Sequence, residues 1–210
     1  MPSAPAPLTV TGDPDVDALL QTNPLALMIG MLLDQQIPIE WAFTSPHRLQ
    51  TRMGCNLTAG AIVDLSPDDL EALFRGVPAL HRFPANMAKR TRTFCETILS
   101  DYAGEPTRLW SEAADGADLA KRLKALPGFG PEKTKIFIAV LAKRFGICPD
   151  GWEAAAGAFA DPTQARSVAD VDDPAVLEDI RAYRALLKAE GKSKQESVSG
   201  KRPETKTGKT

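Results

Sequence analysis

Apolar residues recur along this chain at helical spacing, and the elements they predict are all helices. Residues 1–12 are rich in Pro and Ala and are expected to be disordered. Asp13 or Asp15 then starts a short helix through Leu19 and Leu20, and Asn23-Pro24 supplies a cap and first-turn proline for a second, running to about Gln36. Between Leu25 and Leu33 that second helix is apolar on nearly every side, which places it at the centre of a bundle. Ile39 to Met53 reads as a further helix interrupted around Ser45-Pro46, with Trp41, Phe43 and Leu49 as core candidates and Gly54 as its stop. Ser66-Pro67-Asp68-Asp69 has the form of a capping box for a small helix between Asp64 and Gly76. A loop from Gly76 to Pro84 leads into a long helix from about Ala85 to Tyr102, closed by Gly104. Near the end, Asp173-Pro174 starts a last helix carrying Leu177, Ile180, Tyr183 and Leu187 on one side.

Between residues 118 and 146 the pattern tightens into two helices joined by a very short turn, Leu126-Pro127-Gly128-Phe129-Gly130-Pro131-Glu132-Lys133. Asp118 can cap the first helix, whose face carries Leu119 and Leu123. Pro131 suits the first turn of the second, which shows Ile136, Phe137, Val140 and Leu141 and stops at Gly146. Unpaired amides at the start of that second helix make a ready site for a phosphate oxygen. From Leu119 to Gly146 there are seven Lys or Arg (Lys121, Arg122, Lys124, Lys133, Lys135, Lys143 and Arg144) against Glu132 as the one acid. A helix–hairpin–helix that holds a nucleic-acid backbone accounts for both features. An αα-corner whose glycines serve only the turn is the competing reading.

This segment resembles the helix–hairpin–helix–Gly/Pro–Asp superfamily of base-excision repair DNA glycosylases. Leu32-Leu33-Asp34-Gln35-Gln36-Ile37 is similar to the leucine–glutamine segment that closes an early buried helix there, and is closest to the alkyl-base branch. The likeness covers roughly residues 15 to 150. It implies an all-α, two-lobed helical bundle over residues 13–188 that binds duplex DNA containing a damaged base and acts as a monomer. Gly128, Phe129, Gly130, Lys133 and Lys135 are the expected DNA contacts of the hairpin, and Gln36, with Gln35 beside it, would fill the gap left by a flipped base. As plain sequence these two glutamines read as exposed helix-end residues. Trp41 has two readings as well, an aromatic wall for a base or a core residue.

A monofunctional glycosylase needs one carboxylate near the sugar, and the resemblance puts it in a loop after the hairpin. Asp150, 18 positions beyond Glu132, is the candidate, with Asp161 and Asp170 in reserve. The usual apolar-Asp-Thr/Val-His context is missing, and Pro149-Asp150-Gly151 also reads as an ordinary turn. Strand-cleaving members carry a lysine at the seventh place from the start of the LPGxG motif. Here that place is Glu132, and Lys133, one residue later, is rotated about 100° around the helix, so no lyase activity is expected. The alternative function is a DNA-binding or damage-sensing relative without catalysis.

Composition adds limits. The formal charge of the 210-residue chain is only −2, and the body before Lys188 has 18 basic and 24 acidic residues. Positive charge is nevertheless gathered in the hairpin and in the span from Arg75 to Phe94, which has five Lys or Arg and no acid. Lys89, Arg90 and Arg92 in that span are read as auxiliary phosphate contacts. Residues 189–210 form a Ser-, Lys-, Gly- and Thr-rich basic tail, expected to be disordered and to serve as a weak DNA tether or a solubilising end. Three scattered cysteines, Cys55, Cys95 and Cys148, suit reduced thiols, and with none after Cys148 the four-cysteine iron–sulfur cluster of some superfamily members is not expected. His47 and His81 give no metal-ligand spacing. The longest apolar run is too short to span a bilayer and the N-terminus lacks signal-peptide features, so a cytoplasmic protein with no membrane partner is expected.

Overall fold

A computed structural model describes residues 7–189 apart from 174, 184, 187 and 188, and among these only helices, turns and loops occur. In chain order the helices are α1 (Pro14–Thr22), α2 (Pro24–Leu33), α3 (Ile39–Met53), α4 (Ala59–Asp64), α5 (Pro67–Arg75), α6 (Pro84–Tyr102), α7 (Arg108–Ser111), α8 (Gly116–Ala125), α9 (Pro131–Phe145) and α10 (Trp152–Ala156). Residues 176–183 are also helical, with Leu177 and Ile180 buried. Pro174 and Leu187, the tail from residue 190 and residues 1–6 lie outside the described residues.

The caps behave as their chemistry requires. Asp13 accepts the amides of Asp15 and Val16, Asn23 those of Leu25 and Ala26, and Ser66 that of Asp69. Every residue from Leu25 to Leu33 is buried. Gly30 is the reason α3 can lie so close to α2, because a Cβ there would sit 2.7 Å from the Phe43 ring. The second helix ends at Leu33, three residues short of the expected Gln36. Pro38 biases Ile37 away from helical angles, and the chain turns through Gln36 at φ 57° to begin α3.

Several expectations are revised. The stretch before Asp13 is packed from Leu8 onward: Leu8 and Val10 are buried, and the Asp17 carboxylate accepts the Thr11 and Gly12 amides. Helix α3 runs unbroken through Pro46, with Ala42, Phe43 and Leu49 of both halves held in one core. Helices α4 and α7 had no clear periodic signal. Asp115, not Asp118, caps α8, its carboxylate accepting the Asp118 amide at 2.8 Å.

Helices α1 to α6 make one group and α7 to α10 the other, around a continuous core. Phe129 ties them together: its ring lies 5.9 Å from that of Phe94 on α6 and 5.8 Å from that of Phe137 on α9. After α10 the chain passes back along α9 through two 3₁₀ turns, Gly157–Ala160 and Val168–Asp170.

Candidate nucleic-acid interface

The hairpin turn is closed by the Phe129 amide donating to the Leu126 carbonyl at 3.1 Å. Gly128 has φ 84°, and a Cβ there would lie 2.3 Å from Leu32 Cδ1. It is needed twice over, for the left-handed angle and for contact with α2. Gly130 differs: at φ −75° it has ordinary angles, and a Cβ there would meet nothing within 4 Å. The space in front of it is open. Helix α9 begins beside that space with Pro131 and no side-chain cap, so its first-turn amides and positive dipole end form a site for an anion.

The residues expected to touch DNA here are sorted by their actual partners. Gly128, Gly130 and Lys135 are exposed. Phe129 is buried in the core, so only its backbone borders the turn. Lys133, expected at a phosphate, turns inward and donates from Nζ to the Met31 and Leu32 carbonyls at 2.7 and 2.6 Å. An ammonium on the carbonyls that end a helix satisfies groups with no intrahelical donor. Three more of the seven basic residues are likewise committed. Arg122 binds Asp118 and the Glu112 carbonyl, Lys143 binds Asp170, and buried Arg144 donates to the Ala169 carbonyl at 2.8 Å. Lys121, Lys124 and Lys135 are the hairpin lysines left exposed.

The last turn of α2 is where hairpin, loop and α6 meet. Gln35 donates to the Leu32 carbonyl and the Met87 sulfur and accepts from Arg90 at 3.2 Å. Gln36 is exposed, and its left-handed backbone swings it out of the helix line. His81 is buried. Its Nδ1 accepts the Phe83 amide at 3.0 Å and its Nε2 faces the Gln35 carbonyl at 3.0 Å, which fixes the neutral tautomer with the proton on Nε2. Burial, helped by nearby Lys133 and Arg82, holds its pKa below the usual 6.5.

The loop before α6 is pinned by side chains. Arg52 donates to the Pro78 carbonyl, Trp41 Nε1 to that of Ala79 and the Ser45 hydroxyl to that of Leu80. Trp41 therefore anchors this loop from the core edge. At the loop's end Phe83 is 43% exposed, with the Arg82 guanidinium 4.8 Å from its ring centre. This exposed aromatic, two residues from His81, was missed by sequence reasoning because a single Phe before a helix carries no periodic signal.

The auxiliary set on α6 divides. Arg90 reaches the Gln35 amide, but Arg92 is spent on the Val63 and Leu65 carbonyls and on Glu96. Lys89 lines a cavity of about 600 Å³ between α5 and α6 that it shares with Asp68, Glu71 and Glu96. Three acids in the lining, against Lys89 and Arg92, make that a poor phosphate site.

The carboxylates downstream of the hairpin are not at the turn. The Asp150 carbonyl accepts the Gly116 amide at 2.8 Å, which puts Asp150 at the far end of α8, about 15 Å of helix from the turn. Only four residues lie between it and Phe145, too few to run back along α9. The Asp161 carboxylate is held by Thr163, whose hydroxyl and amide lower its pKa. Asp170 takes Lys143 on one oxygen and accepts the preceding Arg166 and Ser167 amides on the other. Among the described residues no three His, Cys, Asp or Glu side chains are grouped to hold a metal.

A family model described as HhH-GPD superfamily base excision DNA repair protein matches residues 29–201. No curated protein and no solved structure matches the chain.

Proposed function

From the premise that this chain belongs to the HhH-GPD superfamily of base excision DNA repair proteins, we propose that it is a monofunctional DNA glycosylase acting as a monomer on duplex DNA. The observation that carries the reading is the contact between Gly128 and Leu32. It sets the uncapped start of α9 beside the Gln35-Gln36 end of α2, so a phosphate held by the hairpin lies next to the side chain suited to fill a flipped base's place. Lys121, Lys124, Lys135 and Arg90 add charge, and Phe83 with Arg82 offers a face on which a base can stack. A bound cluster is not part of the proposal, since three cysteines are one short of a four-cysteine set.

Strand cleavage through a Schiff base is not part of it either. Glu132 stands at the seventh place of the motif, and the Lys133 amine is donating to two carbonyls, with no lone pair directed at a sugar. The test is base release from duplexes carrying alkylated, deaminated and oxidised bases, developed with and without alkali, together with borohydride trapping. Release that yields breaks only after alkali, with no trapped adduct, is the expected result. A trapped covalent complex refutes the monofunctional assignment.

The positions of Asp150, Asp161 and Asp170 favour a second reading, a binding protein without catalysis. Salt-sensitive duplex binding with no base released from any substrate would select it.

A further inference from the structure

Two pieces of chain meet at the end of α2, the Gln35-Gln36 turn and the loop that enters α6 at Phe83. His81 lies between them and is fully buried, a costly place for an imidazole unless both nitrogens find partners. Both do, and the partners are backbone groups of the two different pieces. Nε2 donates to the Gln35 carbonyl and Nδ1 accepts the Phe83 amide, each at 3.0 Å. One flat ring therefore sets the distance from the turn to the residue that caps α6. On the loop side, the Phe83 ring lies 5.9 Å from that of His81 and carries the Arg82 guanidinium at 4.8 Å. On the turn side, the Gln35 side chain is held by the Leu32 carbonyl, the Met87 sulfur and Arg90.

We propose that His81 is a positioning residue for duplex DNA, bracketing the Gln35-Gln36 pair and Phe83 so that one fills a flipped base's place while the other stacks on a base beside it. This rests on the duplex-binding part of the reading above. His81 is buried and acts only through the two pieces it joins. The bracket works only with a neutral ring. A protonated imidazole has a donor on each nitrogen, so Nδ1 would confront the Phe83 amide. The new charge would also lie near Lys133 of α9 and Arg82 of the loop, with the Leu33 and Gln35 carbonyls facing it from the end of α2. Acid should therefore release Phe83 and weaken DNA binding. Added positive charge acting through the protein's field alone would do the opposite.

The probe is a duplex carrying a tetrahydrofuran abasic site, titrated at fixed salt. At about pH 7.5, His81→Leu keeps bulk but offers Phe83 no acceptor. It is expected to bind about tenfold more weakly than wild type, as is Phe83→Ala, because base stacking is lost in both. His81→Asn puts an oxygen near the place of Nδ1 and should restore most of the affinity. Towards about pH 5.5, with protonation of the His81 ring followed by NMR, wild type should weaken to the level of His81→Leu. His81→Asn and Phe83→Ala should stay level. Wild-type affinity in His81→Leu overturns the proposal, as does a His81→Asn no better than His81→Leu. So does wild-type affinity that holds once the ring is protonated, or acid weakening that Phe83→Ala shares. Should His81→Leu not fold, the acid titration of wild type against Phe83→Ala decides; should the ring stay neutral, the variants at pH 7.5 decide. If wild type does not bind the duplex even at pH 7.5, the DNA-repair reading itself fails, a result distinct from the others.

Discussion

Replacing Gly130 with Asp should make the protein more stable and bind DNA less well. Gly130 is the N-cap of α9 with φ −75° and ψ 175°, angles open to any residue, and a side chain there meets nothing within 4 Å. An N-cap aspartate accepts an amide two or three residues on, gaining a few tenths of a kcal/mol over glycine. Its charge at the dipole's positive end adds about 0.3–1 kcal/mol, and a stiffer unfolded chain about 0.4–1. The gain should be roughly 1 kcal/mol or slightly more. The same carboxylate would fill the anion site and repel phosphate. Losing charge-assisted hydrogen bonds worth about 1.5–3 kcal/mol weakens the duplex roughly tenfold to a hundredfold. Urea denaturation and fluorescence anisotropy at fixed salt read the two effects separately. Higher stability with undiminished affinity would refute the phosphate site. Gly128→Ala is the contrasting control: a left-handed angle costing about 1–2 kcal/mol and a methyl forced against Leu32 should lower stability first.

Salt should weaken duplex binding with a log–log slope of about −3 to −4, from the three exposed hairpin lysines and Arg90 at roughly 0.9 each. A slope near −6 would mean that committed residues such as Arg122 and Lys143 swing out to the DNA. Lys143→Ala should instead cost stability, roughly 3 kcal/mol, because its ammonium and the Asp170 carboxylate are only 14% and 10% exposed; an unchanged urea midpoint would disprove that. For His81 the folded pKa lies below the unfolded 6.5, so the unfolded chain takes up the proton first. Stability should be complete above about pH 6.5 and fall as pH drops through the folded value, and a melting temperature flat from pH 7.5 to 5 would contradict it. A thiol reagent should label Cys55 and Cys148 in the native protein, and Cys95, whose thiol burial pushes up to about 12, only after unfolding; a third native thiol titrating at once would place Cys95 outside the core.

The features that were legible in the sequence are those decided within a few residues. Asp13, Asn23 and Ser66 cap helices because an acceptor two or three positions before an amide meets it in almost any context. Gly54 and Gly146 end helices because each takes a left-handed angle, at φ 67° in both cases. The hairpin was legible for the same reason, since Gly128 is required by its own angle as well as by its neighbour. What escaped was set by distant partners. Leu8 and Val10 look like part of a loose lead-in until Gln21 accepts the Leu8 amide and Asp17 the Thr11 amide. Pro46 looks like a break until a common core holds both halves of α3 in line.

The site was misjudged in one systematic way. Counting seven basic residues around the hairpin treated each as a surface charge, yet a lysine or arginine is long enough to choose among many partners. Lys133 reaches carbonyls about a hundred positions away in sequence, and Lys143 and Arg144 reach residues 25 to 27 positions on. Those contacts close the C-terminal end of α2 and fasten the returning chain to α9, so about half of the apparent phosphate patch is fold. In the proposed site, phosphate affinity rests more on backbone amides than on side-chain charge. That shift explains how an acidic chain can carry a DNA site, because amides at a helix start attract phosphate whatever the net charge of the protein. Spacing after the hairpin points to Asp150, but the four residues between it and Phe145 are too few to bring the chain back along α9.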